Sequence, residues 1–217
     1  MKDKINIFQS VKSKAVKDLS PELLEIGLDS LTNSEVLKDI PVFGIAFKGY
    51  SLYQNVTEAF FTKKLLNFLY ELNDIPLTER EKFIDKLEAD GETNKAGEKL
   101  LITLNRLNDI DKAKIIGKLF KKTILGVIDF NIFNRLTHII DNAYIDDIKL
   151  LKNNLNLGYI SEDIKSNLHQ VGLLNQRISD TERQKKFLAR VGSSKDVKPK
   201  LEYKANEYCK ILVEHGL

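Results

Sequence analysis

Between Lys95 and Leu151 the apolar residues recur at three- and four-residue intervals, in stripes separated by Asp109, Gly126 and Asp129. Such spacing places each stripe on one side of an α-helix and leaves little room for a sheet. Leu100, Leu101, Leu104 and Leu107 form the first stripe. Ile115, Ile116, Leu119 and Phe120 form the second, opened by Asp109 and stopped by Gly126. Asp129 then caps a third helix carrying Ile132, Phe133, Leu136, Ile139 and Ile140, which bends or breaks near Asn142 before Ile145, Ile148, Leu150 and Leu151.

Upstream the pattern is again helical. Ser20, Pro21 and Glu22 mark a helix start, because the serine can cap an orphan amide and proline needs no donor in the first turn. Asn33 or Ser34 caps a short helix through Val36 and Leu37 that ends before Pro41. Residues 41–72 are the most apolar part of the chain and are expected to form one long helix or two in tandem. Thr78 and Glu81 make a capping-box pattern ahead of Phe83, Ile84 and Leu87, with Asp90 and Gly91 as the stop.

The character changes after Asn153, Asn154, Asn156 and Gly158. Ser161 caps a helix to about Val171, Leu173–Ile178 reads as a strand, and Leu201, Tyr203 and Ala205 alternate as a second strand would. A terminal helix follows from Asn206, with Tyr208, Ile211 and Leu212 inward. Residues 188–200, with Gly192, Ser193, Ser194 and Pro199, read as a loop. Helix, strand, basic loop, strand, helix is the order of a winged-helix-like unit. The expected fold is mainly α: a multi-helix bundle over 20–154, preceded by a basic segment 1–19 and followed by a small winged-helix-like α/β unit over 155–217.

A chain of 217 residues, 42% hydrophobic and 30% charged, buries roughly 70% of its unfolded surface and needs no staples. With one cysteine, Cys209, it makes no intrachain disulfide and no multi-cysteine zinc cluster, and a reducing, cytoplasmic setting is expected, with a peripheral place at the inner membrane as a variant. Nothing near Met1 has the form of an export signal. The formal net charge of +3 is small, but its distribution is uneven. Residues 1–17 hold five lysines against Asp3, and residues 182–204 hold eight basic residues against three acids.

Catalytic signals are sparse. His138, His169 and His215 are scattered, with Asp141 one turn after His138 as the nearest approach to a ligand pair. Asp109 and Asp129 serve better as caps than as metal ligands. Phosphate loops, nucleophile elbows and zincin motifs do not occur. No enzyme activity, cofactor or metal is expected.

Two surfaces stand out instead. The aromatics Phe43, Phe47, Tyr50, Tyr53, Phe60 and Phe61 lie in the apolar stretch, whose run of uncharged residues stops at Lys48, too short for the ~20 apolar residues of a membrane span. They belong to a buried central helix, or to a segment that meets a partner or membrane when exposed. Arg183, Lys185, Lys186, Arg190, Lys195, Lys198 and Lys200 form a basic loop that would lie along phosphates or another anionic surface. The helix before it brings Glu162 and Asp163, which suit a base-reading helix poorly.

The runs Ile40-Pro41-Val42-Phe43-Gly44, Phe61-Thr62-Lys63-Lys64-Leu65-Leu66-Asn67-Phe68-Leu69, Glu79-Arg80-Glu81-Lys82-Phe83 and Gly172-Leu173-Leu174, with Tyr203 downstream, resemble bacterial and prophage proteins of the abortive-infection alpha type. That family's Leu-Thr-x-x-Gly start to the last helix is replaced here by Lys204, Ala205 and Asn206. Gly126-Val127-Ile128-Asp129, leading to Phe133 and Leu136, is also similar to the helical TerB-like domains of stress proteins, whose acidic metal-binding positions are not evident here. The resemblance implies a helical protein associated with phage resistance, without catalytic residues to carry over. The expected function is therefore a non-enzymatic interaction protein acting through a protein partner. A triggered membrane effector exposing 41–61 and weak nucleic-acid binding by the C-terminal unit are the alternatives.

Overall fold

A computed structural model describes residues 6–25, 34–43, 56–89, 91, 93–179, 186, 190 and 199–217. Its elements are α1 (Ile7–Val11), a 3-10 turn (Lys14–Asp18), α2 (Pro21–Glu25), α3 (Glu35–Lys38), α4 (Val56–Tyr70), α5 (Leu77–Ala89), α6 (Thr93–Arg106), α7 (Ile110–Ile124), α8 (Phe130–Asn142), α9 (Ile145–Leu150), a second 3-10 turn (Leu151–Asn153), α10 (Glu162–Gln170), β1 (Leu174–Ile178), β2 (Leu201–Ala205) and α11 (Glu207–His215). The protein is mainly α-helical, with a small α/β unit at its C-terminal end. Two compact units divide the chain, Met1–Asp141 and Asn142–His215.

In the N-terminal unit α4 and α7 pack closely, and the approach depends on a glycine. A Cβ added at Gly117 would stand 2.7 Å from the Phe68 carbonyl oxygen. Phe120, one turn on, is fully buried and meets four rings: Phe133 at 5.1 Å, Phe68 at 5.5 Å, Phe83 at 5.6 Å and Phe8 at 6.0 Å between centroids. Tilted, edge-on and offset contacts of this kind add to what area burial alone supplies. Phe8 comes from α1, so the basic segment 1–19 contributes to this core from Ile7 onward. Ile7, Phe8 and Val11 are buried, and the Asn6 side chain caps α1 by accepting from the Phe8 N–H at 3.0 Å.

The caps at Asp109 and Asp129 form as expected, accepting from Asp111 N at 2.7 Å and Asn131 N at 2.8 Å. The α7 C-terminus closes in a Schellman arrangement: Gly126, at φ +73°, donates to Thr123 O at 3.0 Å, and Val127 donates to Lys122 O at 2.9 Å. The capping box at Thr78 does not form. Helix α5 starts at Leu77, the Pro76 carbonyl already accepts from Glu79 and Arg80, and Thr78 lies inside the first turn.

Among the described residues of this unit three cations are buried, each donating to backbone carbonyls. Arg80, 1% exposed, donates from Nε to Ile75 O at 3.2 Å and from Nη1 to Val11 O and, at 2.9 Å, to Ser13 O. Lys64, 2% exposed, donates to Asn105 O and, at 2.8 Å, to Leu107 O, where α6 ends. Lys112, 1% exposed, donates to Asp141 O at 3.0 Å near the end of α8. Orphan carbonyls and the negative end of the helix dipole are what a buried cation can satisfy without an acid partner. Desolvation lowers the pKa of all three, against Glu81 for Arg80 and against Asp141 and Asp109 for Lys112.

In the C-terminal unit, Ile148, Leu151, Leu157, Ile160, Leu168, Leu173, Cys209 and Leu212 are buried. Helix α8 stops at Asn142 and α9 starts at Ile145, so the chain breaks there. The unit begins thirteen residues before the boundary read from the asparagine-rich stretch. The reason is packing: α9 lies against α10, and the 3-10 turn after it lies against α11. Strands β1 and β2 pair antiparallel, Leu174 opposite Ala205 and Ile178 opposite Leu201. The Asn206 side chain caps α11 by accepting from Cys209 N at 3.0 Å.

Burial pushes the Cys209 thiol up to about 11. A raised acid of this type contributes stability that is present below the unfolded value and is lost as pH rises through the folded one. Native protein at pH 8 is therefore expected to react with a disulfide reagent at least a hundredfold more slowly than urea-unfolded protein. Equal rates in the two states would show that the thiol is accessible.

Candidate functional site

A concavity of about 930 Å³ lies in the N-terminal unit between α5 and the α7–α8 turn. The periodicity of α5 positions one wall: Phe83 and Leu87 turn inward, while Lys82 and Lys86, four residues apart, stand exposed above them. The Schellman turn positions the other wall. It throws Leu125 and Val127 outward, 46% and 57% exposed, while Ile124 and Ile128 go under. Phe130 and Ile132 complete the floor. Neither Lys82 nor Lys86 has an ion-pair partner among the described residues. The Asp129 carboxylate, at the same rim, is occupied with the N-terminus of α8.

Of the aromatic set read from the sequence, Phe43, Phe60 and Phe61 are described. Phe43 is fully buried, in a segment pinned by the bond from Val42 N to Ser10 Oγ at 3.0 Å, and offers nothing to a partner in this state. Phe60 and Phe61 are half-buried, and Phe60 already carries the Lys64 ammonium 5.0 Å from its centroid. Phe47, Tyr50 and Tyr53 lie outside the described residues. No helix among those described is long and apolar enough to cross a membrane.

Of the basic loop, Lys186, Arg190 and Lys200 are described and exposed; Arg183, Lys185, Lys195 and Lys198 lie outside the described residues. Lys200 is fixed by its backbone, which exchanges bonds with Ser179 at 2.8 and 3.0 Å. On the strands, Arg177 is paired with Glu202 at 2.9 Å. Helix α10 presents Glu162 and Asp163 to solvent, and Lys165 is held to Glu162 at 2.8 Å. The basic excess therefore belongs to the loop, and the helix that would enter a groove is acidic at its start.

His169 Nδ1 stands 2.8 Å from Leu174 O and its ring lies 6.0 Å from that of Tyr203, while His215 stands 3.8 Å from Glu214. Asp141, the candidate partner of His138, is engaged by Arg106. No group of three or more potential metal ligands occurs among the described residues. Comparison with family models, curated proteins and solved structures found no match.

The parts of this groove look ordinary in the sequence. Leu125 and Val127 flank a glycine that reads only as a helix stop. The available signal was two large apolar residues straddling a C-terminal glycine, where an exposed turn normally carries polar ones.

Proposed function

We propose that this chain is a non-enzymatic interaction protein that receives an amphipathic helix of a protein partner in the groove between α5 and the α7–α8 turn. The observation that carries the reading is the pair Leu125 and Val127, exposed beside an apolar floor of Phe83, Leu87, Ile124 and Ile128. A helix laid in such a groove buries its apolar stripe there, and acids on its flank meet Lys82 and Lys86. A setting in phage resistance rests on the motif resemblance described above.

The test is retention of a partner from the native host by wild type, by Leu125→Glu with Val127→Glu, and by Lys82→Glu with Lys86→Glu. All four positions are exposed, so the fold should hold. Loss of the same partner from both variants is expected, the second loss being milder and dependent on salt. Retention unchanged by the Leu125 and Val127 substitutions would overturn the groove as the contact.

A further inference from the structure

Among the described residues, no backbone group pairs with the outer edge of β2 in the two-stranded sheet. Antiparallel pairing alternates residues that exchange backbone bonds with residues that turn N–H and C=O away from the partner strand. Asn206 N donates to Leu173 O at 3.2 Å and Ser179 N to Lys200 O at 2.8 Å, which fixes the bonded pairs between as Lys204 with Asn175 and Glu202 with Arg177. Leu201, Tyr203 and Ala205 accordingly direct their N–H and C=O groups to the outer side of β2. The corresponding edge of β1 is partly closed, because the Leu174 carbonyl is engaged by His169 from α10.

A groove of about 350 Å³ runs along this edge, lined by Leu155, Asn156, Leu157, Tyr203, Lys204, Ala205 and Lys210. Its wall opposite β2 is apolar, with Leu155 41% exposed and Leu157 buried beneath it. Its charged members are both cations. Lys204 has no ion-pair partner among the described residues, and Lys210 reaches only the exposed Glu207 at 3.4 Å.

We propose that β2 is a docking edge for an extended segment of a partner protein that adds as a third strand, its apolar side chains against Leu155 and Leu157 and its acidic ones toward Lys204 and Lys210. Main-chain bonds to Tyr203 and Ala205 supply the pairing, and the apolar wall with its two lysines selects the sequence. The negative segment is what charge complementarity requires, since no carboxylate lines the groove. This edge belongs to the C-terminal unit, so its failure leaves the reading of the α5 groove standing, and the converse holds.

The probe is a synthetic peptide of alternating glutamate and valine, titrated into the ¹⁵N-labelled full chain. The amides of Tyr203 and Ala205 should shift and their hydrogen exchange should slow, while those of Lys204 and Asn206, already bonded to β1, keep their rates. N-methylation of the peptide at alternate residues, in the register that faces β2, should weaken binding at least about tenfold. Lys204→Gln with Lys210→Gln should weaken it by about tenfold and leave the β1–β2 pairing intact. The proposal is overturned by absence of binding, by equal binding of the N-methylated peptide or of a lysine–valine peptide, or by shifts that avoid Tyr203 and Ala205. Concentration-dependent shifts of those two amides without peptide would also overturn it, by assigning the edge to a second copy of the chain.

Discussion

Arg80→Met is expected to lower the stability of the N-terminal unit by about 3–5 kcal/mol. Methionine keeps most of the apolar stem and removes the guanidinium. The carbonyls of Ile75, Val11 and Ser13 then lose a charged donor that is itself only 1% exposed, and each unsatisfied buried group costs about 1–3 kcal/mol. Lysine is not a substitute. Its single ammonium cannot span the fork that Nε and Nη1 make, so Arg80→Lys should recover only about half of the loss. Because the chain has two units, the reading should come from hydrogen exchange of amides in α5 and α7 alongside urea unfolding. A loss under about 1 kcal/mol would show that the carbonyls find other partners.

Phe120→Ala should be comparably severe, at about 3–5 kcal/mol. Four rings converge on this side chain, two of them from α1 and α4 and two from α5 and α8. Their packing around a single centre leaves no neighbour free to fill the space alone. Phe120→Leu retains much of the volume and should cost about half as much. The diagnostic is the pair with Arg80→Met: both substitutions release α1, one at Phe8 and the other at Val11. Their effects should therefore sum to less than additively, by roughly 1 kcal/mol. Strict additivity would mean that α1 is held independently at its two ends.

Elements whose evidence is local were legible in the sequence. Asp109, Asp129 and Gly126 announce helix ends by chemistry that acts within a few residues, and the structure uses them in those roles. The alternation of Leu201, Tyr203 and Ala205 is likewise local, and the strand lies there. The division at Asn142 has no local marker of its own, because asparagine and glycine mark a turn without saying which side it packs on.

The buried cations were missed for a related reason. A lysine or arginine in a charged helix reads as solvent-facing, and the carbonyls that make burial tolerable are supplied by distant segments. Position carried a usable signal all the same: Arg80 precedes Ile84 and Leu87 by four and seven residues, Lys64 precedes Phe68 by four, and Lys112 precedes Ile116 and Leu119 by four and seven. Each cation sits on the stripe that goes inside. The groove required the turn geometry at Gly126, and the open edge of β2 required the register, neither of which one sequence displays.

The dependence of α1 on Arg80 and Phe120 sets a timetable for the nascent chain. Five residues are too few to hold a helix unaided, since the nucleus costs more than so short a ladder returns. Ile7, Phe8 and Val11 therefore have no place to go until residue 80, and then residue 120, has left the ribosome. At about 5–20 residues per second, that delay is on the order of 10 s. For that interval the apolar side chains of Ile7, Phe8 and Val11 lack their packing partners and are available to a holdase or to the neighbouring chain on the same message.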